Sequence, residues 1–365
     1  MHNDVILVIV VGTALAFDFT NGFHDTANVV ATSISTRAMS PRLAVAYAAA
    51  LNFAGAFISL AVAATVAQDV VDSGAITPTV VFAGLIGGIS WNLITWYFGL
   101  PSSSSHALIG GVVGSAFAAA GADAVSGDGV LGKVLIPAVM APILAFLVGV
   151  AAILVCYSVA GRLRPGPVSR GYRLGQVVSG GLLALAHGTN DAQKTMGVIT
   201  LALVTNGTLA PGSDPPTWVI VSAASAIAVG TYSGGWRIIR TMGTRIIRMD
   251  PAQGFAAQGA GAAVILASSH YGFPLSTTHV IAGGVMGAGA GKRISAVRWG
   301  VAGNIVAAWL LTLPAAAAIG AAAYGFTRIF GTGSLGPAIV TAIGLALVTA
   351  AFARRIRQGA PVPAG

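Results

Sequence analysis

Two short polar clusters interrupt an otherwise oily chain, and their residue types are those that hold ions. The first is Asp18-Phe19-Thr20-Asn21-Gly22-Phe23-His24-Asp25-Thr26-Ala27-Asn28; the second is Ala186-His187-Gly188-Thr189-Asn190-Asp191-Ala192-Gln193-Lys194. Gly22 and Asp25 align with Gly188 and Asp191 at a single offset. At membrane depth an acid, a histidine or an asparagine costs several kcal/mol unless it faces a cavity, a partner or an ion. The glycine of each cluster would let a helix open and offer its carbonyls and amides as ligands. Breaks are therefore expected near 20–26 and 187–192. Asp25 and Asp191 are the candidates for a coupling cation or proton, or for a metal, either Na+ or a divalent ion carried with the substrate. Asn28 and Asn190 add neutral oxygens that suit sodium, and His24 reads equally as a proton site, histidine being the side chain that changes charge near neutral pH, or as a hydrogen-bonded structural residue. Lys194 either pairs with an Asp or, with Gln193, touches an anion. Asp18, seven residues before Asp25, reads as a helix-end or interfacial acid. A zinc site from His24, Asp25, His106, His187 and His279 is chemically conceivable, but no spacing selects it.

A second pair of motifs, Pro101-Ser102-Ser103-Ser104-Ser105-His106 and Pro274-Leu275-Ser276-Thr277-Thr278-His279, places hydroxyls just before helix starts expected at 105–122 and 277–290. A helix N-terminus offers free N–H groups and about half a positive charge. One such tip is explained by ordinary capping. Two matched tips point to a cage for a small tetrahedral oxyanion, built from Ser103, Ser104, Ser105, Ser276, Thr277 and Thr278. His106 and His279 follow the tips symmetrically and either donate to the anion or cap the turn, the structural role being the favoured one. Asn52, Asn92 and Asn304 read as interhelical hydrogen-bonding residues.

The elements that position these groups follow from composition. The 365 residues are 55% hydrophobic and 8% charged, with 49 Gly and no Glu; a soluble domain averages about 25% charged. An all-α integral membrane protein is the class this allows. The net charge of +9 is explained by basic cytoplasmic loops and does not call for nucleic acid. Cys156 is alone, so no disulfide framework or thiolate metal site is expected. The start of the chain reads as a first membrane segment rather than a cleaved leader. With about 20 apolar residues per crossing, segments are expected at 5–36, 43–67, 79–99 with 105–122, 132–160, 174–206, 217–236, 254–272 with 277–290, 296–325 and 335–353.

Charge then assigns sides. Arg37 and Arg42, then Arg162, Arg164, Arg170 and Arg173, then Arg237, Arg240, Arg245 and Arg248, then Lys292, Arg293 and Arg298, then Arg354, Arg355 and Arg357 mark one set of loops. Asp4, Asp69, Asp72, Asp123, Asp128 and Asp214 mark the other. Basic loops inside put the N-terminus outside and the C-terminus in the cytoplasm. The stretch 79–122 then starts and ends outside and 254–290 starts and ends inside, so each is a re-entrant hairpin tipped by one hydroxyl motif. Residues 1–160 and 174–325 thus form inverted repeats, each with a broken helix, a crossing and a hairpin, and 335–353 is an additional helix. Inverted repeats around a midplane site are the plan of secondary transporters.

At these residues the sequence resembles the PiT inorganic phosphate transporter family, whose signature is a twice-repeated Gly-x-Asn-Asp core. Here it reads Gly22-Phe23-His24-Asp25-Thr26-Ala27-Asn28 and Gly188-Thr189-Asn190-Asp191-Ala192-Gln193-Lys194. The hairpin tips resemble the family's too, across about residues 15–310. The resemblance implies a homodimeric carrier whose tips bind phosphate and whose Asp residues bind or relay the cation. His24 stands where sodium-coupled members carry Asn. That form resembles the bacterial low-affinity branch, which is proton-coupled and carries phosphate as a neutral complex with Mg2+ or another divalent metal. The expectation is a plasma-membrane phosphate importer, not an enzyme, coupled to H+ or alternatively Na+. A sulfate permease of the same fold, or a passive channel or sensor, are the rivals. No other cofactor is implied.

Overall fold

The computed structural model describes residues 2–161 and 163–357; Arg162 of the second basic loop lies outside the described residues. The helices are α1 (His2–Ser35), α2 (Pro41–Gly55), α3 (Ala61–Gln68), α4 (Pro78–Phe98), α5 (Ser104–Ala120) and α6 (Gly127–Ala160). They are followed by α7 (Pro165–Thr205), α8 (Thr217–Ser233), α9 (Trp236–Arg245), α10 (Pro251–His270), α11 (Thr277–Lys292), α12 (Trp299–Arg328) and α13 (Leu335–Arg357). Among the described residues four helices are long and apolar enough to cross a membrane, or five if α8 and α9 count as one bent span. Large apolar side chains such as Leu144, Leu147, Leu154 and Leu310 point outward, as a lipid-facing surface requires.

The order α1–α6 is matched by α7–α12 in packing as well as in length. Helix α1 packs on α8 as α7 packs on α2, and α5 packs on α12 as α11 packs on α6. Similarly α3 lies on α7 and α9 on α1. Each half therefore completes the other. Both apolar cores mix residues of the two halves, Val30 with Ile281 in one and Phe17 with Met196 in the other.

Helices α4 and α5 form a closed hairpin. The loops flanking it are joined by the Val71–Val125 bridge and by Asp72 N–H donating to the Ala124 carbonyl at 3.1 Å. Helices α10 and α11 form the second. The segments flanking it are tied by the Lys292–Asp250 ion pair at 3.0 Å and by Arg298 N–H on the Ile246 carbonyl at 3.0 Å. A capping box of Asp250 and Gln253 starts α10. Gly99, in the left-handed region at φ 65°, ends α4 as only a residue without Cβ does cheaply.

The helices expected to break do not: α1 and α7 run unbroken through 20–26 and 187–192. Their glycines serve close approach instead. A Cβ on Gly22 would strike the Ile227 carbonyl of α8, and one on Gly188 the Asn52 carbonyl of α2. The breaks fall in the next crossing of each half. The expected segment 43–67 is split at 56–60 into α2 and α3. The expected segment 217–236 turns by 60° between α8 and α9.

Candidate functional site

The two hairpin tips meet at the centre of the molecule. Ser105 Oγ donates to the Leu275 carbonyl at 3.0 Å, and the His106 and His279 rings lie 4.8 Å apart. His279 stacks on Trp309 at 4.0 Å, and Trp309 Nε1 donates to the Pro101 carbonyl at 3.1 Å. These histidines clamp the tips rather than facing the polar clusters.

Helices α1 and α7 bring Asp25 and Asp191 to the tips, and both carboxylates are buried. Ser104 Oγ donates to Asp25 Oδ2 at 2.5 Å and Thr278 Oγ1 lies 3.4 Å from Oδ1. Thr277 Oγ1 donates to Asp191 Oδ2 at 3.2 Å. Asn28 Nδ2 donates to Thr278 at 2.8 Å and reaches Thr277 at 3.3 Å. So each tip touches the acid of one cluster, and the second tip touches both. His24 Nδ1 is 2.6 Å from Asp25 Oδ1, and its Nε2 is 3.1 Å from Thr95 Oγ1 on α4. Ser102 Oγ donates to Thr95 at 2.8 Å, extending the chain of polar groups.

Lys194 makes the buried pair rather than a free cation. Its Nζ is 2.5 Å from Asp191 Oδ1, 2.5 Å from Ser105 Oγ and 2.7 Å from the Leu275 carbonyl. An ammonium has three donors, and all are committed. Removing either partner of such a pair leaves an uncompensated buried charge.

Other expected site residues have structural work. Gln193 Oε1 accepts from the Val62 and Ala63 N–H groups at 2.8 and 3.2 Å, and its Nε2 donates to the Thr189 carbonyl. It caps α3 where the crossing breaks, so its amide is engaged by backbone groups in this structure. Ser103 and Ser276 are the N-caps of α5 and α11, accepting from His106 N at 3.1 Å and His279 N at 3.3 Å. Their hydroxyl oxygens face their own helices. Asn190 Nδ2 braces the second tip through Ser269 Oγ at 2.9 Å and the Phe273 carbonyl at 3.1 Å. Its Oδ1, like that of Asn28, has no partner.

Asp18 is not interfacial: it is wholly buried, and neither oxygen is hydrogen-bonded. His187, which the sequence marks only within the zinc set, has its Nε2 3.1 Å from Asp191 Oδ2 and its Nδ1 3.2 Å from Asn52 Oδ1. Its position four residues before Asp191, on the same helix face, was the available signal. Asp25, His187 and Asp191 present ligand atoms within 4.8 Å of one another. Among the described residues this trio, rather than the wider histidine set, is where metal-ligating atoms come together.

The model of the phosphate transporter family matches residues 21–168 and 160–320. A probable low-affinity inorganic phosphate transporter of Mycobacterium bovis is 56% identical over 327 residues, 89% of this chain and 78% of the relative. Counterparts in Rhizobium meliloti and Bacillus subtilis are 47% and 43% identical, over 87% and 88% of this chain and 96% of each relative. A solved structure described as the sodium-dependent phosphate transporter shares the fold, with a TM-score of 0.81 at 23% identity over 89% of this chain and 99% of that one. A family match across both halves, with relatives this similar along most of their length, makes this membrane-embedded chain a member of the phosphate transporter family.

Proposed function

We propose that the protein imports inorganic phosphate across the plasma membrane in symport with protons, alternating access around the paired tips. The observation that carries this reading is the sharing of tip hydroxyls by the two carboxylates. A hydroxyl has one proton to donate. Ser104 gives its proton to Asp25 and Thr277 gives its proton to Asp191. A phosphate that takes those donors, along with the N-terminal N–H groups of α5 and α11, leaves each carboxylate without them. Beside a bound anion such a carboxylate must gain a positive charge. His24, against Asp25, is the neighbour that delivers a proton there. The same exchange couples substrate to cation without a separate linkage.

Asp25, His187 and Asp191 further suit a divalent metal travelling with phosphate as a neutral complex. Phosphate is favoured over sulfate because it keeps a donor for these acceptors at neutral pH. The partnerless oxygens of Asn28 and Asn190 favour sodium as a second reading of the coupling ion. Basic loops inside place the N-terminus outside and the C-terminus in the cytoplasm, and the family resemblance implies a homodimer.

Purified protein in liposomes tests the reading, with phosphate uptake followed under pH and sodium gradients imposed separately and Mg2+ varied. Uptake is expected under the pH gradient, suppressed by excess phosphate but not by excess sulfate, and lost in Asp25→Asn. Uptake driven by sodium alone would move the assignment to the second reading. No accumulation under either gradient would overturn both.

A further inference from the structure

After Asp214 the sequence holds one acidic residue, Asp250, and it stands among basic loops. Its carboxylate is already engaged. Oδ1 caps α10 through the Gln253 N–H at 2.9 Å, and Oδ2 takes Lys292 Nζ and the Tyr157 hydroxyl, each at 3.0 Å. Arg248 before α10, and Arg293 and Arg298 after α11, have no acid partner among the described residues. These three arginines and Lys292 nevertheless line one cavity of about 340 Å³, together with Ser295. Four cations against the one carboxylate leave three positive charges unbalanced there. Arg298 reaches over the end of α9, its Nη1 donating to the Thr244 and Arg245 carbonyls at 3.3 and 3.4 Å. Beside the cavity-lining residues in the chain, Ile294 is 71% exposed and Trp299 49%. Trp299 Nε1 donates to the Ile294 carbonyl at 3.1 Å, which holds the two together.

We infer that this cavity binds the phosphate group of an anionic membrane lipid such as phosphatidylglycerol, at a site apart from the hairpin tips. Like charges gathered round one concavity repel one another, and an anion entering it removes that cost. The arginine fork matches the oxygens of a phosphate in pairs. Basic pockets between membrane helices are where acidic headgroups settle. The volume lies at the small end of ligand cavities, about 300–1,000 Å³, which suits a headgroup and not a whole lipid. Exposed Ile294 and Trp299 favour a lipid over a soluble phosphate ester, because a tryptophan and an apolar side chain beside cations anchor at headgroup level. Arg248 precedes α10 and Arg293 follows α11, so one headgroup joins the two ends of the second hairpin. The proposed topology puts this face in the cytoplasm, and the chemistry of the cavity stands without it.

Calorimetric titration of the purified full-length protein, in a neutral detergent, with dihexanoyl phosphatidylglycerol tests the site. Dihexanoyl phosphatidylcholine and glycerol 1-phosphate are the other arms. Saturable phosphatidylglycerol binding is expected, at least about tenfold, ~1.4 kcal/mol, tighter than either. It is expected to weaken by a similar factor in Arg248→Gln with Arg293→Gln. Neither side chain has an acid partner, so that variant is expected to melt as the wild type does. Arg170→Gln with Arg173→Gln removes the same charge from exposed positions outside the cavity and is expected to bind as the wild type does. Equal weakening in the two double variants would make the attraction a diffuse surface effect and overturn the site. Equal affinity for phosphatidylcholine, or no saturable binding, would overturn it too. Glycerol 1-phosphate binding as tightly as the lipid would overturn the lipid assignment. Should the first double variant fail to fold, Arg293→Gln set against Arg170→Gln decides. Because no transport is read, failure here leaves phosphate uptake standing, and failure of uptake leaves this site standing.

Discussion

Neighbouring hydroxyls on the two tips have different duties, and substitution should separate them. Ser104 and Thr277 donate to the carboxylates, whereas Ser103 and Ser276 cap their helices. A hydrogen bond to a charged group contributes about 1.5–3 kcal/mol. Ser104→Ala or Thr277→Ala should therefore raise the phosphate KM roughly tenfold to a hundredfold in proteoliposome uptake, with expression near wild type. Ser103→Ala should instead cost about 1 kcal/mol of stability and leave KM almost unchanged. Equal KM effects in the two classes would mean the capping serines also contact substrate. Lys194→Met strands Asp191 and should cost about 3–5 kcal/mol, read as a large drop in Tm of the solubilised protein. Lys194→Met combined with Asp191→Asn should recover part of that Tm while transport stays absent.

Helices α1 and α8 approach backbone to backbone at Gly22, and α7 and α2 do so at Gly188. Small residues at such crossings are the usual means of close helix contact in a membrane. Gly22→Ala should lower stability by about 1–3 kcal/mol, because its Cβ meets backbone that cannot rotate away. Gly12→Ala on the same helix meets open space and should be neutral to stabilising by up to about 1 kcal/mol in the same thermal assay. If both behaved alike, helix propensity rather than contact would be the controlling term. The break between α2 and α3 is held by Gln193, so the polar cluster on α7 also organises the neighbouring crossing.

In the whole molecule each half supplies one helix that carries a polar cluster and one tip, and the second tip contacts Asp25 of the first half as well as Asp191 of its own. The chain must therefore place α4–α5 and α10–α11 so that their tips meet. Hairpins entering from opposite membrane faces would do so, as the proposed function requires. Single cysteines test that arrangement in a Cys156→Ser background, at Ala75 between α3 and α4 and at Ser295 between α11 and α12. A membrane-impermeant maleimide should label Ala75→Cys on intact cells and Ser295→Cys only after permeabilisation. Labelling of both from one side would rule out the inverted arrangement.

Properties local in sequence were readable without the fold. Apolar length and scarce charge made a membrane protein necessary, and matched spacing marked Asp25 with Asp191 and Ser104 with Thr277 as related groups. Residue type and spacing do not specify which neighbour a side chain will face. Gly22 fits an opened helix and a close crossing equally well, and only the position of α8 chose the crossing. Gln193 and Lys194 had the chemistry of anion ligands, yet the orphan N–H groups of α3 and the carboxylate of Asp191 claimed them first. Asp18 looked interfacial because its depth depends on where α7 lies against α1. Partner choice is a long-range property, and tertiary packing decided it.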